Sequence, residues 1–426
     1  MDAAVAAVRP TDTLAVPLGP GQPASFLHAL GDRTDWVDLR LTSALMVDLF
    51  AVCSQPGVHV ISGFFGPAER FLRDAGADVQ FVPADFRRFG RLYEHVPPRV
   101  MATVATPPDA DGWLSLSLHA GASVEELHRC GADPDRVLIV EANPAFPHTF
   151  GILPEHGHRL HVDEIDVLVE GDRPPLVIAE EAPTEAETEI ARIAGGYVTD
   201  GCTLQTGIGG VPNAVATLLA EGAGGDYGVH SEMFTSGLMR LHQACKVTNA
   251  HKGRYAGYSI ATFAAGVAEL YAFLDGNEDV RFLPVELVNA PEVIAANSRM
   301  VMVNAAVAVD LAGQVVADTA GGQQYSGIGG AEDFSMPSGL QNEDRSLLCL
   351  PSTAEVAGTT ISRLVVGHPQ GTIITTPRHQ VDVIITEYGA AELRGLTVPE
   401  RAQALAAIAH PSFRDELAEA AVTFGS

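Results

Sequence analysis

The chain has 426 residues, 46% hydrophobic and 19% charged, enough to bury large cores and of a length that suits two or three domains. Its 53 Asp plus Glu against 26 Lys plus Arg give a net charge of −27, which opposes general affinity for nucleic acid or anionic membrane and leaves any anionic ligand dependent on a local pocket. The start, "MDAAVAAVRP", lacks the basic and apolar segments of a signal peptide, and Cys53, Cys130, Cys202, Cys245 and Cys349 form no CxxC pair, so a cytoplasmic protein with reduced core thiols is expected.

In chain order, "DTLAVPLGPGQPASFLHAL" (12–30) reads as a strand, a Gly-rich turn, a Pro and a helix. Short β-branched runs follow at 58–62, 136–142 and 165–170, separated by Ala-rich stretches of helical period; similar runs recur at 300–310 and 381–389. This alternation predicts α/β layers around buried, mostly parallel sheets. His156, His158 and His161 in "HGHRLH" have a spacing that could hold a metal, yet no Cys or ordered acidic partner accompanies them, and a solvated loop is expected. "EGDRPPLVIAEEAPTEAETEIARIA" (170–194) suits an exposed linker leading into an amphipathic helix, which sets a domain boundary near residue 180, dividing 1–180 from 181–426.

The opening motif then repeats: in "GCTLQTGIGGVPNAVATLL" (201–219), Gly210 and Pro212 correspond to Gly21 and Pro23. Glycines between a strand and a helix let backbone N–H groups approach an anion, a phosphate or an oxyanion equally. A dinucleotide fingerprint would need a third Gly where Pro212 stands. In "DYGVHSEMFTSG" (226–237), Glu232 lies between a strand end expected at Tyr227–Val229 and a turn closing on Gly237. His230, Ser231 and Glu232 are consecutive and cannot all face one substrate, and no G-x-S-x-G elbow is present, which disfavours a hydrolase triad. The only lysines, Lys246 and Lys252, follow shortly, either as phosphate ligands or as a consequence of an Arg-rich composition. "YSIATFAAGVAELYAFL" (258–274) reads as a buried helix too short to span a bilayer, which takes roughly 20 residues. A second GIGG turn occurs in "YSGIGGAEDF" (325–334). A carboxylate in a dry pocket beside two such donor turns can act as a nucleophile toward acyl groups, without metal or redox cofactor.

These stretches, with "PPDADGWLSLSLHAGAS" (107–123), "ELVNAPEVIAANSRMVMVNAAVAVDLAGQV" (286–315), "LPSTA" (350–354) and "TEYGAAELRGLTVPERAQALAAIAHPSFRDEL" (386–417), give a chain that resembles the acetyl-CoA hydrolase/transferase family nearly end to end. The resemblance implies two tandem CoA-transferase-like open α/β domains with the active site at their interface, and it implies that Glu232 becomes a covalent glutamyl-CoA. It further implies that Gly207, Ile208, Gly209, Gly210 and Val211 bind CoA, that the amides of Ile208 and Gly330 form the oxyanion hole, and that Asn289 contacts CoA or substrate. His410 is expected to be a structural hydrogen-bonder. The expected partners are acyl-CoA and small carboxylic acids, with CoA as substrate and covalent intermediate rather than resident cofactor, and the expected assembly is a homodimer. The alternatives are an acetyl-CoA hydrolase using the same site, or a catalytically weak ligand-binding paralogue. Two departures stand out: many members have Lys where Glu355 stands and Asp where Ser236 stands.

Overall fold

The computed structural model describes residues 1–335 and 341–424. Strands Thr11–Ala15, Asp38–Ser43, Val58–Ser62 and Val79–Phe81 are laid down in one direction from the sheet centre. Val100–Ala105, Val137–Ala142 and Val167–Glu170 extend it in the other, giving seven strands paired in parallel throughout. Such a doubly wound order opens a crevice at the carboxyl ends of the central strands. The β-branched composition follows from burial on both faces: every residue of Val100–Ala105 is buried.

A second sheet repeats the plan. Its order is Gly228–Val229, Thr203–Thr206, Met300–Ala305, Arg345–Cys349, Val383–Thr386 and Gly389–Glu392, and only the last strand is antiparallel. Helices Val398–Ala407 and Pro411–Val422 cover it through Leu405, Leu417 and Ala421. His410 caps the second of these, its Nδ1 accepting from the Ser412 amide at 3.2 Å, the structural part expected of it. Between the sheets, one hydrophobic cluster unites Leu116 and Leu118 of the first half with Leu204, Val229 and Phe234 of the second. The two halves therefore share a core as well as a boundary.

The duplicated motif is real in the backbone, and its two copies differ in packing. Thr11–Ala15 leads through Gly19–Gly21 into helix Ala24–Leu30, and Thr203–Thr206 leads through residues 207–209 into helix Gly210–Glu221. In the first copy Gly19, Pro20 and Gly21 are buried, and any Cβ at Gly21 would strike the His119 ring. In the second, Gly207 and Gly209 face open space, and Gly209 has φ +117°, a conformation that favours glycine. Gly210, the counterpart of Gly21, is likewise covered, by the Glu187 carboxylate, so the second turn is open only at Gly207 and Gly209.

Several sequence expectations require correction. Residues 258–274 are not one helix; Ser259–Ala261 and Phe263–Ala264 are strands and only Ala268–Leu274 is helical. Parallel partners at Val280–Phe282 and Met233–Phe234 draw the first part into sheets. The strand before Glu232 is Gly228–Val229, and Gly237 closes no turn because it lies inside helix Ser236–Gln243, capped by Thr235. Cys245 is exposed while the other four thiols are buried. The histidine stretch is not simply a solvated loop: His158 is buried, stacks on Phe282 at 5.2 Å and bonds the Ser117 carbonyl at 2.8 Å. The linker after residue 170 is largely exposed, yet it is pinned by Ile178 N–H to the Gly266 carbonyl at 2.9 Å. Thr184 then caps helix Glu185–Gly195. No helix among the described residues is long and apolar enough to cross a membrane.

Candidate active site

The carboxyl ends of both sheets open onto one cavity of about 250 Å³. From the first half, Val16 to Leu18, Thr42 to Leu45 and Gly63 to Phe64 line it; from the second come Gln205 to Ile208, Glu232, Asn304 and the turn at 328–331. Gln205 and Asn304, neighbours on adjacent strands, exchange side-chain amide hydrogen bonds at 3.2 and 3.3 Å across its floor.

Glu232 is presented by a short irregular segment between strands, and every neighbour in that segment is anchored. His230 Nε2 bonds the Val288 carbonyl at 2.8 Å, and Ser231 Oγ donates to the Met233 carbonyl at 2.8 Å. The Glu232 carbonyl accepts from Thr262 N–H at 2.8 Å. Beneath the preceding strand, buried Lys252 donates to the carbonyls of Val229 and Tyr258, each at 2.7 Å. Lys246 likewise turns to the carbonyls of Gly222 and Gly224. Both lysines are thus engaged by backbone carbonyls, and neither lines the cavity. His230 and Ser231, fully buried and engaged with backbone, shape the segment and stay off the cavity wall, which Glu232 and Met233 reach.

The Glu232 carboxyl keeps partial exposure only toward that cavity. Its Oε2 accepts from Asn289 Nδ2 at 2.7 Å, and the Gly330 amide also donates to it. Burial pushes its pKa up to about 8, and the nearby Asp333 charge adds to the rise, against the lowering effect of those two donors. A methyl at Gly330 would collide with Oε2, so only glycine admits this close approach. Asn289 is fully buried and absent from the cavity wall; the same Nδ2 also donates to Asp333 Oδ2 at 3.0 Å. Asp333 in turn receives Arg87 Nε at 3.0 Å and the Arg87 amide at 3.2 Å. Its own pKa is raised to about 6, chiefly by burial, despite those partners. A chain Glu232, Asn289, Asp333, Arg87 therefore runs from the cavity into the other half of the molecule.

The turn bearing Gly330 is clamped against the first half. Phe86 N–H bonds the Gly329 carbonyl at 3.1 Å and Phe65 N–H bonds the Ser326 carbonyl at 3.3 Å. Arg70 and Arg73 reach the carbonyls of Tyr325 and Gln324, each at 2.6 Å. Gly207 and Ile208 lie on the cavity wall, with Ile208 half exposed. Gly209 precedes the helix, and Gly210 and Val211 form its first turn, where Gly210 abuts the Glu187 carboxylate and Val211 is buried. Of the expected residues, Glu232, Gly207, Ile208 and Gly330 thus meet at one cavity, and Asn289 stands behind Glu232. Sequence reasoning missed Asp333 and Arg87; Asp333 sat in the quoted "GIGGAEDF" without a role, and Arg87 belongs to no motif. Ser236 bonds the Val267 amide at 3.1 Å and is buried, a local structural contact.

The acetyl-CoA hydrolase/transferase C-terminal domain matches residues 266–421. The chain is 35% identical over 423 residues, 98% of its length and 93% of the relative's, to the succinyl-CoA:cyclohexane-1-carboxylate CoA transferase of Geobacter metallireducens. It is 33% identical over 356 residues, 83% of its length and 80% of the relative's, to the 4-hydroxybutyrate coenzyme A transferase of Clostridium kluyveri. The crystal structure of RipA from Yersinia pestis matches with a TM-score of 0.89 at 31% identity, covering 99% of this chain and 96% of that one. The expected architecture, paired α/β halves with the cavity between them, is the one found. The chain belongs to the acetyl-CoA hydrolase/transferase family.

Proposed function

We propose that the protein is a CoA-transferase that moves CoA between an acyl-CoA and a free carboxylate, with Glu232 as nucleophile. The observation that carries this reading is the Glu232 carboxyl facing the shared cavity with the Gly330 amide and Asn289 at its oxygens. With its pKa raised by burial to about 8, the carboxyl is held mainly protonated at pH 7 and the ionised form is the minor, reactive one. That carboxylate, poorly solvated, attacks the thioester carbonyl; the oxyanion forms against the amides of Ile208 and Gly330. The Gly330 amide must exchange its bond to Glu232 for one to the new oxyanion. Collapse breaks the C–S bond, leaving an acyl-glutamyl anhydride and CoA thiolate. The thiolate then attacks the glutamyl carbonyl, releasing the acyl group as a carboxylate and forming a glutamyl-CoA thioester. A second carboxylate reverses both steps and leaves as the new acyl-CoA. Asn289, Asp333 and Arg87 are positioning residues that hold Glu232 toward the cavity.

Gly207 to Gly209 would meet CoA through backbone at an open turn, which supports their assignment to its binding, while Gly210, against Glu187, and buried Val211 would act from the first turn of the helix behind it. A division near residue 180, a homodimeric assembly and a cytoplasmic location are carried forward as parts of the same proposal; light scattering giving a particle of 44.8 kDa would remove the dimer. The activity itself is tested by incubating the protein with butyryl-CoA and acetate. Acetyl-CoA should appear with parallel double-reciprocal lines, the signature of a ping-pong exchange. Release of free CoA at the same rate without acetate would replace the transferase by a hydrolase.

A further inference from the structure

One end of the cavity is built of bulky apolar side chains: Leu18, Phe86, Phe89, Tyr93, Met233 and Phe263 line it. Phe86 packs edge-on against Phe263 at 6.3 Å and lies 6.3 Å from Phe89. These rings belong to a cluster with Met233 and Leu18, immediately beside Glu232 in the chain. Phe89 fits where it does because residue 63 is glycine; a Cβ there would enter the Phe89 ring. The wall is rigidly coupled to the reacting group, because Phe86 and Arg87 bond the Gly329 carbonyl and the Asp333 carboxylate. Bulk presented at this end is therefore registered against the Gly330 amide rather than on a separate loop.

Among the described residues no Lys, Arg or His lines the cavity. The nearest guanidinium in this network, Arg87, is engaged by Asp333 at 3.0 Å and Asp85 at 3.4 Å. Behind the turn stand two more carboxyls, Glu332, hydrogen-bonded by Thr376, and Asp333, and burial raises the pKa of both. A second carboxylate on the substrate would enter a low-dielectric wall with no cation to pair it and acids behind it, an arrangement that penalises a buried charge. A small acid such as acetate would leave the aromatic end unfilled. By contrast, a cavity of about 150 Å³ suffices for benzene, so 250 Å³ accommodates a ring-sized acyl group beside the end of the thiol arm.

We infer that this enzyme's acid substrate is a bulky apolar monocarboxylate, alicyclic, aromatic or branched, whose hydrocarbon part sits against Phe86, Phe89 and Phe263, and that dicarboxylates are rejected. The inference rests on the CoA-transfer reading and adds the substrate class to it. The test uses the full-length protein with butyryl-CoA as donor and a panel of acceptors: cyclohexanecarboxylate, benzoate, 2-methylpropanoate, acetate and succinate. The best of the first three should exceed both acetate and succinate in kcat/KM at least tenfold. Succinate or acetate performing as well would overturn the substrate class while leaving CoA transfer standing; transfer to no acceptor would remove both. Phe89→Arg places a cation at the wall and should move the ratio of succinate to cyclohexanecarboxylate at least tenfold toward succinate, whereas Phe89→Leu should keep the apolar preference. An equal fall for every acid in Phe89→Arg, with an unchanged ratio, would show that the aromatic end holds the CoA arm instead and would overturn the assignment.

Discussion

Replacing Glu232 by Gln should stabilise the protein, and by an amount that depends on pH. In the folded chain burial holds this carboxyl at about 8, against an ordinary value of 4.5. Because the folded value lies above the unfolded one, folding favours the proton-bound form, and ionisation works against the fold as pH rises. The penalty begins near pH 4.5, grows through neutrality and is complete above pH 8. At about 1.4 kcal/mol per pH unit, the interval from 4.5 to about 8 corresponds to at most about 5 kcal/mol. Water in the cavity partly solvates the carboxylate, so this is a ceiling. Gln keeps the shape and still accepts from Asn289 and Gly330 but carries no charge. The variant should therefore match the wild type to within about 1 kcal/mol at pH 5 and exceed it at pH 7 by an amount that rises toward, at most, about 3 kcal/mol. Urea unfolding followed by fluorescence at pH 5, 7 and 8.5 measures the difference; thermal scans serve as a check, since large chains often unfold irreversibly. An offset between the two proteins that stays constant across this range would refute the claim that Glu232 is held neutral by its surroundings.

The same carboxyl should govern the rate: kcat/KM for an acyl-CoA should rise about tenfold per pH unit below pH 8 and level off above it, because only the ionised form attacks. Gly330→Ala should lower kcat by about 100-fold or more with the fold intact by circular dichroism, since the added methyl displaces the Glu232 oxygen from the donor turn. Glu355 is exposed on the hairpin Thr353–Val356 and Thr359–Ser362, its carboxylate accepting from Thr360. Glu355→Lys should tighten CoA binding a few-fold at low salt and lose the gain at high salt if the ligand's phosphates pass this hairpin; calorimetry showing no change at either salt would turn the residue away from CoA.

The parallel sheets were legible because strands buried on both faces leave continuous β-branched runs, as in "RVLIVEA" and "MVMVNA". The duplicated strand and turn were legible from a repeated β-branched run followed by Gly and Pro, and the expectation at Glu232 rested on a charged residue followed by Met233 and Phe234, both of which are buried. The segment 258–274 misled because its apolar run carries no period that separates a short buried strand from a helix, and its strand partners lie outside it. Asp333, Arg87 and the aromatic wall were invisible for a different reason: their meaning comes from contacts across the two halves, such as Arg87 with Asp333, which no local pattern encodes. The two copies of the glycine turn read alike in sequence, yet His119 stands over Gly21 in the first, while in the second Glu187 covers Gly210 and leaves Gly207 and Gly209 facing open space.

The central claim is that CoA becomes covalently attached to Glu232. The direct measurement is intact-mass and peptide analysis of the protein incubated with an acyl-CoA and no acceptor, followed by borohydride. The account predicts a mass increase equal to CoA less water, on the peptide containing Glu232, with borohydride converting that side chain to the alcohol and abolishing activity. Glu232→Gln should show neither the adduct nor turnover while still binding CoA. An adduct on another residue, or full turnover by the Gln variant, would contradict the account.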